Sequence, residues 1–149
     1  MRSSTGEPVC PERLEDGVYH YVPGKGWLPG LPSLQEAPVI LIFVNMLCRT
    51  SCEHVLSLIR SMAGREVLEG RIRLGLVVCT RFRYVCYSDE ARQLFGRFNI
   101  IASPSVVVLA NGEVVASLKG RLRVDRELPA VLESLRNRAA AAAVERPRL

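Results

Sequence analysis

Pro38-Val39-Ile40-Leu41-Ile42-Phe43-Val44-Asn45-Met46-Leu47-Cys48-Arg49-Thr50-Ser51-Cys52 reads as a buried strand that runs into two cysteines and then a helix. Val39 to Val44 are apolar without a break and mostly β-branched or aromatic. A run of that kind suits a strand covered on both faces, as in a sheet flanked by helices. From Thr50 the period changes. Val55, Leu58, Ile59 and Met62 fall at i, i+3, i+4 and i+7, the inward stripe of an amphipathic helix. Gly64 offers one end for this helix, and a run through Val67-Leu68 to Gly70 offers another.

Downstream, Ile72 to Cys79 is a second strand with Leu74, Leu76, Val77 and Val78. Thr80 to Tyr87 has no clear period and reads as a connection. Ser88 with Asp89 and Glu90 starts a helix, a capping hydroxyl followed by acids that suit the positive end of the dipole. Ala91, Leu94, Phe95 and Phe98 form its inward stripe. Ser105 to Leu109 is a strand, Asn111-Gly112 a hairpin turn, and Glu113 to Leu118 the return strand. A last helix begins near Val124-Asp125 and carries Leu128, Val131, Leu132 and Leu135. Ala139 to Ala143 can extend it with nothing to pack against, and Glu145 to Leu149 are expected to be disordered.

Upstream, Val18-Tyr19-His20-Tyr21-Val22, the turn Pro23-Gly24-Lys25-Gly26 and Trp27-Leu28 make a hairpin. Residues 1–16 are polar and irregular and are expected to be a flexible arm, with Cys10 on it as a bystander. The main domain is expected over 17–137, and 138–149 as a helical extension and tail. Strand, helix, strand, helix, strand, strand, helix from residue 38 gives an α/β fold. Its sheet is mixed, with four or more strands, helices on both faces and the N-terminal β-hairpin as an extension.

Composition bounds the function. The chain has 149 residues and a net charge of +5, carried by 18 Arg and 2 Lys. The arginines are scattered among acids without interleaved aromatics, so no nucleic-acid partner is expected. No apolar run reaches the roughly 20 residues that span a bilayer, so no membrane partner is expected. Met1 to Cys10 is polar and lacks the apolar core of a secretory signal, which makes the cytoplasm the expected location. Five cysteines are unusual there, because reducing compartments rarely sustain structural disulfides. Intracellular proteins of hyperthermophiles are the exception, and a total of only six Asn and Gln agrees with a thermophile source. A GC-rich genome produces the same bias.

With these elements in place the chain resembles thioredoxin over residues 38–136. The likeness is best in Phe98-Asn99-Ile100, Ser103-Pro104, the strand after it, Asn111-Gly112-Glu113, the return strand and Gly120. The resemblance implies a thioredoxin-like fold, a cis-proline at Pro104 that shapes a substrate groove with Ser103, and a reactive pair at Cys48 and Cys52. The pair departs from the family by one residue, being Cys-x-x-x-Cys. Leu47 stands where the family has a tryptophan, Ile42 where it has a buried aspartate and Leu76 where it has a lysine.

The chemistry of the pair follows from its place. The thiolate is the nucleophile in disulfide exchange, and a helix N-terminus beside a cation lowers a cysteine's pKa. Cys48 ends a strand, precedes a helix and has Arg49 beside it. Cys52 lies one turn further on the same face, and i, i+4 helix geometry puts such Cα atoms about 6 Å apart, within disulfide reach. Cys48 is therefore the expected nucleophile and Cys52 the resolving thiol, acting on protein disulfides, with a thioredoxin reductase as a possible partner and no cofactor.

Two other functions stay open. Cys-x-x-x-Cys before a helix also resembles the copper loop of Sco-type proteins, which implies Cu(I) held by Cys48 and Cys52. That pattern's distant histidine has no counterpart after His54, which itself points away from Cys52, and His20 is remote. A redox-inactive thioredoxin-like interaction module is the third. Cys79 and Cys86 read as a structural disulfide, a second redox relay or plain thiols. Arg81 and Arg83 are either a docking edge or a solvated loop.

Overall fold

The computed structural model describes residues 7–13, 15–45, 49–83 and 85–145. Its elements are β1 (Gly17–Val22), β2 (Gly26–Pro29), β3 (Val39–Asn45), α1 (Arg49–Leu68), β4 (Arg73–Arg83), α2 (Asp89–Arg97), β5 (Ser105–Ala110), β6 (Glu113–Lys119) and α3 (Arg121–Glu145). One six-stranded sheet has the order β2-β1-β4-β3-β5-β6. Only β3 and β4 are parallel, and the other pairs are antiparallel. The mixed sheet with helices on both faces and an N-terminal hairpin is present, and the hairpin joins the sheet through β1 beside β4.

The unbroken apolar run in β3 has a direct cause. Val39 to Val44 are all 0% exposed, because both faces of the strand are covered. Ile40, Ile42 and Val44 join Cys52, Val55, Leu56 and Ile59 of α1 and Val124, Leu128, Leu132 and Leu135 of α3 in one core. Val39, Leu41 and Phe43 join Ala91, Leu94 and Phe95 of α2 in the other. Strand periodicity sends alternate side chains to opposite faces, so one sequence run feeds two cores. Phe43 meets Phe95 and Phe98 edge-on, with centroids 5.2 and 5.9 Å apart.

Local signals explain most boundaries. Ser88 caps α2 by accepting the Ala91 N–H at 3.1 Å. Asn111 and Gly112 both take positive φ, 54° and 80°, as a two-residue hairpin turn of the mirror-image type requires. Both candidate ends of α1 leave a mark: backbone helicity breaks at Ala63, next to Gly64, and the helix stops at Leu68 before Gly70 at φ 73°.

Three expectations need correction. Residues 7–10 lie against the domain: the Cys10 N–H donates to Glu53 Oε2 at 3.0 Å, Arg60 Nη1 donates to the Pro8 carbonyl at 2.8 Å, and Trp27 Nε1 donates to the Val9 carbonyl at 2.8 Å. Cys10 itself is buried in the α1–α3 core. Side chains far along the chain satisfy this segment's backbone, which polarity alone does not reveal. The last helix begins at Arg121, before the expected start, directly after Gly120 at φ 92°. Ala139 is buried, lining a cavity of about 310 Å³ with Pro38, Arg71 and Arg138, so the alanine run does begin against a partner. Residues 1–6 and 146–149, part of the expected arm and tail, lie outside the described residues. No helix among the described residues is long and apolar enough to cross a membrane.

Candidate functional site

The two parallel strands run side by side. Asn45, the last residue of β3, is paired with Cys79, and β4 runs on past it to Arg83. From there the chain leaves in opposite directions: α1 packs on one face and α2 on the other. A crevice at such a divergence is where open α/β sheets bind ligands, because neither helix covers it.

Cys48 follows Asn45 by three positions and lies outside the described residues, as does the side chain of Arg49, whose backbone opens α1. Cys52 is in the first turn of α1 and fully buried, packed in the same core as Ile42 and Val44. The Asn45 N–H donates to Ser103 Oγ at 3.1 Å, which ties the loop before β5 to the end of β3. The Ser103–Pro104 peptide is cis, Pro104 is buried, and its carbonyl accepts the Gly120 N–H at 3.0 Å. Ser105 sits opposite Phe43 and donates its hydroxyl to the Ala102 carbonyl at 2.8 Å. Ser103, Pro104 and Cys52 are thus gathered around the end of β3.

Cys79 and Cys86 are joined in a disulfide, with Cα atoms 4.7 Å apart. The segment between them is more regular than its sequence implies. β4 continues to Arg83, and a backbone bridge pairs Arg81 with Val85 across the turn. Phe82, at φ 55°, turns its ring onto Phe95, with centroids 6.3 Å apart. The Arg83 side chain lies outside the described ones, and Arg81 is exposed.

Asp16 is a residue of this region that sequence reasoning missed. Its carboxylate accepts from Thr80 Oγ1 at 2.9 Å and from the Tyr87 N–H at 2.7 Å, clasping the turn from both sides. A single acid in a polar segment carries no local signal of this role. Nearby, the Tyr19 hydroxyl donates to the Glu15 carbonyl at 3.0 Å; burial first, then the charges of Glu15 and Asp16, push its pKa up. Asp16→Ala should cost about 2 kcal/mol, since hydrogen bonds to charged groups contribute about 1.5–3 kcal/mol each and the site is partly solvated. Urea denaturation measures it, and a midpoint equal to wild type would contradict the clasp.

The histidines are elsewhere. His54 Nε2 meets Asp125 Oδ1 between α1 and α3, and His20 Nδ1 is 3.0 Å from the Gly30 carbonyl oxygen. Among the described residues no group of three or more His, Cys, Asp or Glu is placed to hold a metal.

Family models and curated proteins yield no match to the chain. Among solved structures it is similar to thioredoxin from Aeropyrum pernix, at 14% identity, with 80% of this chain and 95% of that one covered and a TM-score of 0.49. The topology described above, parallel β3–β4 followed by antiparallel β5 and β6 with helices on both faces, is a thioredoxin-like fold.

Proposed function

We propose that the chain is a thiol–disulfide oxidoreductase of thioredoxin-like type that acts on protein disulfides through Cys48 and Cys52. One observation carries this reading: the hydrogen bond from the Asn45 N–H to Ser103 Oγ. It holds the Ser103–Pro104 loop to the end of β3, whose next residues lead to Cys48 and on to α1.

In this mechanism the Cys48 thiolate attacks one sulfur of a substrate disulfide. Arg49 and the N-terminus of α1 favour the thiolate over the thiol. A mixed disulfide forms and the substrate's other sulfur leaves and takes a proton. Cys52 then attacks Cys48 Sγ, releasing the reduced substrate and closing a Cys48–Cys52 disulfide. Burial of Cys52 suits a resolving thiol, because external disulfides do not reach it. Pro104 and Ser103 form the wall against which an extended substrate segment lies. The partners are protein disulfide substrates and an external reductant such as a thioredoxin reductase. The test is reduction of insulin disulfides with dithiothreitol as the electron source. The protein should accelerate the reaction well above dithiothreitol alone, and no acceleration with either dithiothreitol or a thioredoxin reductase rejects the reading.

A further inference from the structure

The Cys79–Cys86 bridge has the features of an exchanging couple more than of a staple. Its two residues differ in access, although both pack on the α2 side of the sheet. Cys79 is fully buried, whereas Cys86 is half-buried between the exposed Val85 and Tyr87, the latter 84% exposed. The reduced form also has a place for its proton. Cys86 Sγ lies 3.4 Å from the Ser88 carbonyl oxygen and 3.9 Å from that of Val78, acceptors that only a thiol can use.

The turn has ties other than the bridge. The Asp16 carboxylate holds Thr80 and Tyr87, the Arg81 N–H reaches the Val85 carbonyl at 2.8 Å, Phe82 packs on Phe95, and Ser88 caps α2. A disulfide stabilises chiefly by restricting a loop that is otherwise free. Here other ties restrict the same loop, so opening the bridge leaves both thiols held near each other and ready to close again.

We propose that Cys79 and Cys86 are a second thiol–disulfide site, attacked at Cys86, whose substrate is a polypeptide dithiol or disulfide. The inference stands whether or not Cys48 and Cys52 exchange. A partner thiolate attacks Cys86 Sγ; a partner–Cys86 bond forms, the Cys79–Cys86 bond breaks, and Cys79 leaves with the electron pair and takes a proton. The partner's second thiolate then attacks its own sulfur in the mixed disulfide. Cys86 leaves in turn and takes a proton directed at the Ser88 carbonyl. The partner dithiol is oxidised to a disulfide and the bridge is reduced to a dithiol, with two electrons and two protons transferred. Val85 and Tyr87 supply apolar surface for the partner chain beside the attacked sulfur.

The test uses the full chain with Cys48→Ser and Cys52→Ser, so that failure of the first site cannot imitate failure of the second. The protein is equilibrated with graded mixtures of reduced and oxidised dithiothreitol, alkylated and mapped by mass spectrometry, with circular dichroism followed in parallel. Cys79 and Cys86 should reduce and reoxidise reversibly while the dichroism stays native. Adding Cys79→Ser should leave a Cys86 that reacts with glutathione disulfide at least tenfold faster than Cys79 does when Cys86→Ser is added instead. Reduction that occurs only together with loss of native dichroism overturns the proposal, as do equal rates at the two sulfurs. If the double variant does not fold, differential alkylation of Cys79 and Cys86 in wild type provides the same readout.

Discussion

In a chain that also carries Cys79→Ser and Cys86→Ser, Cys48→Ser should lower insulin reduction by about a thousandfold or more, to the rate of dithiothreitol alone, the scale on which loss of a nucleophile acts in other enzymes. A serine hydroxyl does not ionise near neutral pH, so no nucleophile remains to open the substrate disulfide. Cys52→Ser should behave differently. Cys48 still attacks, but nothing resolves the mixed disulfide, so a covalent adduct with the substrate should accumulate and vanish on adding excess reductant. Non-reducing electrophoresis and mass spectrometry of the adduct separate the two variants. Equal residual activity in both, with no adduct in Cys52→Ser, would remove the assigned roles. The buried position of Cys52 makes the contrast sharp, because a serine there cannot recruit an outside thiol in its place.

The second large effect is on stability. Ile42 stands where the resemblance to thioredoxin implies a buried aspartate. In this chain it is 0% exposed, between Leu76 and Val106 on the neighbouring strands and in the same core as Cys52. Ile42→Asp should destabilise the protein by at least about 3 kcal/mol at pH 7.5, through lost apolar packing and an unpaired carboxylate in an apolar core. The effect should depend on pH with a definite sign. Burial raises the folded-state pKa of this carboxyl above its unfolded value of about 3.9. Below that value both states are neutral and only the packing and polar-burial costs remain. As pH rises, the unfolded chain ionises first and the penalty grows. Urea midpoints at pH 4 and pH 7.5 check this: a penalty independent of pH would show that the core at Ile42 admits water or a partner.

These two variants also mark how far the sequence could be read. Val39 to Val44 announced a strand covered on both faces, and the switch to a 3.6-residue period at Thr50 announced α1, because burial leaves a direct imprint on residue type. Asn111-Gly112 and Ser88 were legible because their chemistry is local. The turn from Thr80 to Tyr87 was not legible, since its order comes from Asp16, distant in sequence, and from Phe82 reaching Phe95. Cys10 and its neighbours read as a loose arm for the same reason: Glu53, Arg60 and Trp27 hold their backbone from other elements. Around the candidate site, spacing alone left Cys79 and Cys86 between three readings, and only the extension of β4 into a closed turn brings their Cα atoms to 4.7 Å. Cys48 itself lies outside the described residues, so the role proposed for it rests on the residues that frame it.

The hairpin at the start of the chain imposes an order of events during synthesis. β1 and β2 leave the ribosome before β4, yet β1 joins the sheet through β4, with Gly17 against Val78 and His20 against Gly75. A lone two-stranded hairpin is marginal in water. Tyr19, Tyr21 and Trp27, which in the finished protein pack against the α1–α3 core, therefore remain uncovered until β4 has been made. The nascent chain carries an aromatic surface through that interval, open to chaperones or to pairing with a neighbouring chain.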